Sequence, residues 1–180
     1  MSQGRLFVTA AMALVCVAAN AQSQSFLGPT VGIFFPSDSK LREKLGDAWF
    51  SFGASRVKID PYAKQHMAYD WETFSKSKDG SKVFMVAGTV GVIRPFGSPG
   101  AMTRPYGAIR GGLSYIDYAV DTTNVLRVSG KRLGFNANAE FGINIGERLN
   151  LSARYDLFPS YEGLKFSGLT IAVKWGVTKF

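Results

Sequence analysis

The sequence of 180 residues has one cysteine, Cys16, and one histidine, His66. Cys16 lies among the first 21 residues, so the chain beyond them has no thiol for a disulfide, a thiolate metal site or a nucleophile. One histidine without cysteine is too few ligands for a zinc centre, and no other cofactor is expected. Past residue 21 no apolar run approaches the roughly 18 residues that mark a spanning helix. Phosphate-cradling glycine motifs and the HExxH pattern are missing. Positive charge is plentiful, with 21 Lys and Arg against 13 Asp and Glu, but it is scattered. Lys40, Arg42, Lys44, Lys76, Lys78, Lys82, Arg127, Lys131, Arg132 and Lys165 fall in or beside connecting segments. Nucleic-acid binding calls for a concentrated patch, so no nucleic acid is expected as a partner. Cations just beyond an apolar band suit either phosphate-bearing lipid heads or a solvated surface.

The first 21 residues, MSQGRLFVTAAMALVCVAANA, have the layout of a secretory signal peptide. Arg5 begins it, Leu6 to Ala19 is uncharged and apolar, and Ala19-Asn20-Ala21 is a small-x-small cleavage site. The run is too short for a membrane anchor, which needs about 20 apolar residues. Residues 22–180 are then one exported domain. Without disulfides it must close on itself in another way, and a closed sheet is one such way.

What the rest of the chain has is a period of two. Strands are expected over 26–35, 48–59, 67–75, 82–94, within 104–120, and over 132–145, 149–158 and 168–177. The sixth is the clearest: Leu133, Phe135, Ala137, Ala139, Phe141, Ile143 and Ile145 alternate with Gly134, Asn136, Asn138, Glu140, Gly142 and Asn144. Turn signals lie at Asp79-Gly80, Pro95 to Gly100, Gly146 to Arg148 and Pro159 to Gly163. Short connections imply an antiparallel meander. PSDSKLREKLGD (36–47) breaks the pattern. It spaces Leu41 and Leu45 four apart, offers Ser and Asp as N-caps and stops at Gly46, which reads as a short helix in the first loop.

Alternation alone does not say which face is buried. A soluble sheet turns its apolar face inward, whereas an outer-membrane barrel turns it to lipid. The polar faces here are small as well as polar, as in Asn136, Asn138, Gly142 and Asn144, or Gly168, Thr170, Ala172 and Gly176. A lumen of eight strands has room only for side chains. Arg110, Glu140, Arg154, Asp156 and Lys174 would share that lumen, and buried opposite charges neutralise one another. An ion-pair plug is the expectation for them. The apolar faces carry Trp49, Tyr69, Trp71, Tyr115, Phe141, Tyr155 and Trp175, which would form interfacial girdles. The fold class is therefore all-β: an eight-stranded antiparallel up-and-down transmembrane barrel. Even parity puts both termini on one side. The helix and the segments 76–82, 121–131 and 159–163 then lie outside, and the 146–148 turn lies on the periplasmic side.

The strand RYDLF (154–158), the hairpin arm GLKFSGLTIAV (163–173) and the final Phe180 resemble the small outer-membrane β-barrel proteins, a superfamily that includes the transmembrane domain of outer membrane protein A. The resemblance extends over residues 22–180. It implies residence in the cell outer membrane, lipid as surroundings, and the barrel-assembly machinery as a partner in biogenesis. It also implies that Phe180, with Trp175 on the same strand, belongs to the signal that machinery reads. Phe180 is out of phase with Val177 and Trp175, so a bulge near Gly176 is needed to align it. The function expected is a structural or surface-interaction role with no enzymatic activity. The alternative is a soluble exported barrel binding a small apolar ligand. A third reading is a lipid-modifying enzyme that depends on His66, whose surroundings AKQHMAYDW match no such motif. Oligomeric state is left open by the sequence.

Overall fold

The computed structural model describes residues 25–58, 64–98, 101–121, 127–146 and 149–175. Eight strands form the wall: β1 (Ser25–Pro36), β2 (Trp49–Lys58), β3 (His66–Lys78), β4 (Ser81–Pro95), β5 (Thr103–Asp121), β6 (Arg127–Ile145), β7 (Leu149–Leu157) and β8 (Gly168–Trp175). Each pairs antiparallel with its sequence neighbours, and β1 closes the circuit against β8 from Thr30↔Lys174 to Pro36↔Gly168. Over the height that all eight strands share, closure leaves no edge strand with unpaired backbone groups; β6 outruns β7, which it pairs only from Ala137 to Ile145. Pairing partners traced from Pro36 to Gly168, Asp156, Asn138, Arg110, Gly91, Ala68, Val57 and Phe26 return to β1 ten residues away. Such a stagger accompanies strands tilted by roughly 35–45° around a barrel whose interior only side chains can fill.

The alternation is sorted as a lipid-facing wall requires. Val31, Ile33, Phe35, Ile109, Leu113, Phe141, Leu151, Ile171 and Val173 point outward and are exposed. Leu133 and Phe135 keep 75% and 83% of their surface free. Their neighbours Asn136, Asn138, Glu140, Ser152, Arg154, Thr170 and Lys174 point inward and are buried. An apolar belt this continuous is far larger than the patches a soluble monomer tolerates. The soluble alternative, with these faces lining a ligand cavity, does not fit the side-chain directions.

Two sequence expectations need correction. Trp49 was placed with the outward aromatics, yet it is 1% exposed and points into the lumen. Its indole packs on Phe34 at 5.5 Å and donates to the Gly46 carbonyl at 3.0 Å. Segments 76–82 and 121–131 read as loops, but β3 runs to Lys78, β4 starts at Ser81, and β5 and β6 extend to Asp121 and from Arg127. A two-residue turn at Asp79-Gly80 (φ 47° and 81°) joins β3 to β4, the left-handed pair that matches strand twist.

Both corrections have one cause. Toward the end of the barrel that carries the helix, the alternation inverts. Phe34, Phe74, Val83, Met85, Ile116, Tyr118 and Val120 point inward there and form an apolar core with Phe158, Leu164 and Phe166. The helix α1 (Ser39–Leu45) seats Leu41 and Leu45 in that core. Asp38 caps it, accepting from the Lys40 and Leu41 amides at 2.7 and 3.3 Å through Oδ1. Its Oδ2 accepts from the Lys165 amide at 2.7 Å, which ties the helix to the small hairpin Ser160–Tyr161/Leu164–Lys165. The barrel is thus plugged at this end by an ordinary hydrophobic core.

Ile171 sits at the middle of β8 and faces outward. Ile171→Arg is expected to cost about 2–4 kcal/mol by placing a charge near the bilayer midplane. Refolding into lipid vesicles, followed by the gel-mobility shift between unboiled and boiled samples, reads the loss of inserted barrel. The inward neighbour change Thr170→Ser is expected to leave that shift intact.

Candidate functional site: the ion-paired lumen

Below the apolar plug the lumen changes character. Five strands direct charged side chains to one level. Asp70 and Glu72 come from β3, Arg110 from β5, Glu140 from β6, Arg154 and Asp156 from β7, and Lys174 from β8. All seven are buried. Period-two geometry accounts for this, because each sits on the inward parity of its strand.

Arg110 Nη1 lies 2.9 Å from Asp70 Oδ2 and 3.1 Å from Glu140 Oε2. It also donates to Asn138 Oδ1 at 3.2 Å. Lys174 Nζ donates to both oxygens of Glu140 at 2.8 and 2.9 Å. Arg154 bridges the rest: its Nη2 pairs with Glu72, and its Nε lies 2.8 Å from Asp156 Oδ1. Thr170 donates to Asp156 Oδ2 at 2.7 Å. Tyr106 donates its hydroxyl to Glu140, and the same hydroxyl lies 3.0 Å from Asn150 Oδ1. Asn150 Nδ2 donates in turn to Asn144 Oδ1 at 2.7 Å. Gly142 faces Tyr106 across the β5–β6 register, and a Cβ there would collide with the tyrosine ring. Toward the end with the chain termini, Ala68, Ile93, Tyr106 and Ala108 pack together.

The five residues expected to share the lumen, Arg110, Glu140, Arg154, Asp156 and Lys174, are brought into this one cluster. Asp70 and Glu72 join them in the cluster. The signal placing them inside was present, since they alternate with Tyr69 and Trp71 just as Glu140 alternates with Phe141. Tyr106 gave no such signal, because an inward tyrosine looks like an outward one in composition. The cluster holds four carboxylates and three cations among the described residues, and each cation lies within 4 Å of at least two acids, Lys174 reaching Asp70 at 3.8 Å besides Glu140. Burying one of these charges alone would cost several kcal/mol, and the network is what makes their burial tolerable.

Other expected positions fall elsewhere. Trp175 ends β8, points outward and is exposed. Phe180 lies outside the described residues. His66 begins β3 on the inward parity and is buried at the terminus end, far along the strand from the helix end. No group of three or more His, Cys, Asp and Glu poised for a metal ion occurs among the described residues.

Comparison with known proteins gives a consistent result. The sequence profile described as the outer membrane protein beta-barrel domain matches residues 7–176. The structure resembles that of Neisserial surface protein A (NspA), with a TM-score of 0.60, 14% identity, and coverage of 87% of this chain and 99% of the other. It also resembles Ail, the attachment invasion locus protein of Yersinia pestis, with a TM-score of 0.54, 10% identity, and coverage of 86% and 99%. A second Ail structure, in complex with the heparin analogue sucrose octasulfate, has a TM-score of 0.52 at 10% identity and the same coverage. No curated protein sequence matches.

Arg110→Met removes the cation between Asp70 and Glu140, and is expected to destabilise the barrel by about 3–5 kcal/mol, the usual cost of breaking a buried pair. Urea unfolding of the refolded protein in lipid vesicles measures it. Adding Asp70→Asn to Arg110→Met is expected to recover part of the loss. Simple additivity of the two changes would mean the groups are not coupled.

Proposed function

We infer from the family to which this chain belongs, the outer membrane protein beta-barrel domain family, that it is a closed barrel of the outer membrane with a structural or surface-interaction role. The outer-membrane location follows from the family. The observation that carries the closed-barrel reading is the filling of the lumen at two successive levels. The ion-paired cluster around Arg110, Glu140 and Arg154 occupies the middle. The apolar core beneath α1 occupies the helix end. A porin needs an open polar channel, and eight strands leave only enough interior for side chains.

In this reading the helix end faces outside, since it bears α1, the long β3–β6 hairpins and the 158–167 connection. That rim is basic, with Lys40, Arg42, Lys78 and Lys165 exposed. A rigid barrel presenting such a rim suits contact with anionic surfaces. The resemblance supports two biogenesis proposals: removal of residues 1–21 as a signal peptide, and recognition of the last strand, with Trp175 and Phe180, by the assembly machinery. The enzymatic reading is not supported by the position of His66, which is buried on the lumen side at the end opposite the rim.

Planar-bilayer recording tests the closed lumen. The purified barrel is expected to insert without steady conductance steps. Regular, long-lived channel openings by the unmodified protein would overturn the closed-lumen reading while leaving its membrane location intact.

A further inference from the structure

We propose that a recess on the outer wall of β4, β5 and β6 binds the phosphate of an outer-leaflet lipid headgroup. The proposal rests on the orientation given above, with the helix end outside. The recess has a volume of about 370 Å³, and Lys82, Arg127, Lys131, Ser129, Asp117 and Ala119 contribute to its lining.

The register fixes where these side chains go. Asp117 pairs with Lys131, and Ala119 with both Lys82 and Ser129. On β5 the outward parity is set by the exposed Ile109 and Leu113, so Asp117 and Ala119 share their face. On β6 Lys131 follows Phe135 and Leu133 along the same outward row. Two residues of strand advance about 7 Å, so Lys131 stands one step beyond the strongly exposed apolar side chains Leu133 and Phe135. The recess therefore opens sideways from the wall at the height where the apolar belt ends. Acyl chains cover Leu133 and Phe135, and the group attached to those chains at the next level is the headgroup.

The charge suits an anion. Three cations stand against two carboxylates, Asp117 in the lining, which is 7% exposed, and Asp121 beside Arg127. Arg127 is held over the recess from two sides: its Nη2 donates to the Gly80 carbonyl at 3.2 Å, and its Nη1 lies 3.9 Å from Asp121 Oδ1. The cations come from β4 and β6, across the intervening β5, on strands fixed by continuous pairing. Two lysines can approach one phosphate from either side, and the Ser129 hydroxyl adds a neutral donor. The scattered charge seen in the sequence is thus gathered here by pairing, since Lys82 and Lys131 lie 49 positions apart in the chain.

The test uses the refolded full-length barrel in detergent micelles, titrated with lipid A carrying two phosphates, with dephosphorylated lipid A, and with inorganic phosphate. Binding is read by native mass spectrometry. Lys82→Gln with Lys131→Gln is expected to weaken phosphorylated lipid A about thirtyfold, on the scale of one charge contact per lysine. Lys40→Gln with Lys165→Gln removes the same charge from the rim and is expected to change binding less than about threefold. The gel-mobility shift on boiling verifies that each variant is a folded barrel, so a failure here is distinguishable from failure of the barrel reading itself. Equal weakening by both pairs, or equal binding of dephosphorylated lipid, would overturn the proposal. Inorganic phosphate bound as tightly as the lipid would assign the recess to a free anion and overturn the lipid assignment.

Discussion

The structure depends on closing a short sheet on itself. Once β1 pairs with β8, no backbone edge remains over the height that all eight strands share, and that part of the wall can lie in a medium that offers no hydrogen bonds. The same closure makes the interior narrow. Every inward side chain must then be packed or paired, because the lumen is too small to hold bulk solvent. The composition of the inward rows follows from that demand. Small residues and amides fill the ordinary positions, and the few large polar groups are matched to one another.

Two different solutions fill the two halves. At the middle of the barrel, charges are buried as a shared network, and each cation touches two or more acids. Such a network is costly to assemble and costly to break, so it favours one register of strands over another. A slip of one residue would send Arg110, Glu140 and Arg154 into lipid and bring Ile109, Phe141 and Tyr155 inside. At the helix end the filling is apolar: Leu41, Leu45, Trp49, Phe74, Phe158 and Phe166 pack as a soluble core would. That difference tracks the surroundings. Where lipid covers the outside, the polar groups have only the lumen. Beyond the belt, solvent meets the outside, and the apolar groups have only the lumen.

Much of this was legible in the sequence. Strand count, strand positions and a short helix within 36–47 followed from a period of two and from capping chemistry, and the outward direction of the apolar face from the small, polar character of the opposite face. So did the inward placement of Arg110, Glu140, Arg154, Asp156 and Lys174. The phase change was missed. On β5, Leu113 is outward and Ile116 inward, three residues on, and a strict alternation cannot contain both as apolar positions. A reader who follows one phase takes the sequence past Tyr115 as a departure from the pattern, hence the loops expected at 76–82 and 121–131. Trp49 was lost for the same reason, since its phase belongs to the region beyond the belt. Pairing across strands was illegible by nature. Nothing near Lys82 in the chain announces Lys131, and only the β4–β5–β6 register sets them on one face.

The phase inversion has a consequence for where contacts with other molecules can be made. With side chains filling the lumen on both sides of the boundary, the outer surface is what the barrel presents to its surroundings. That surface is uniform and apolar along the belt and polar above it. The rows that carry Leu133 and Phe135 below carry Lys131 and Ser129 above, so one strand face passes from apolar to polar within a single step of the pleat. Strands that crossed the bilayer and stopped would offer no such face. By running on to Asp121 and from Arg127, β5 and β6 carry the wall past the belt, and the apolar residues on its inner side pack against Tyr161 and Phe166. The inward core is thus what allows the outward charges of the extension to stay at fixed positions.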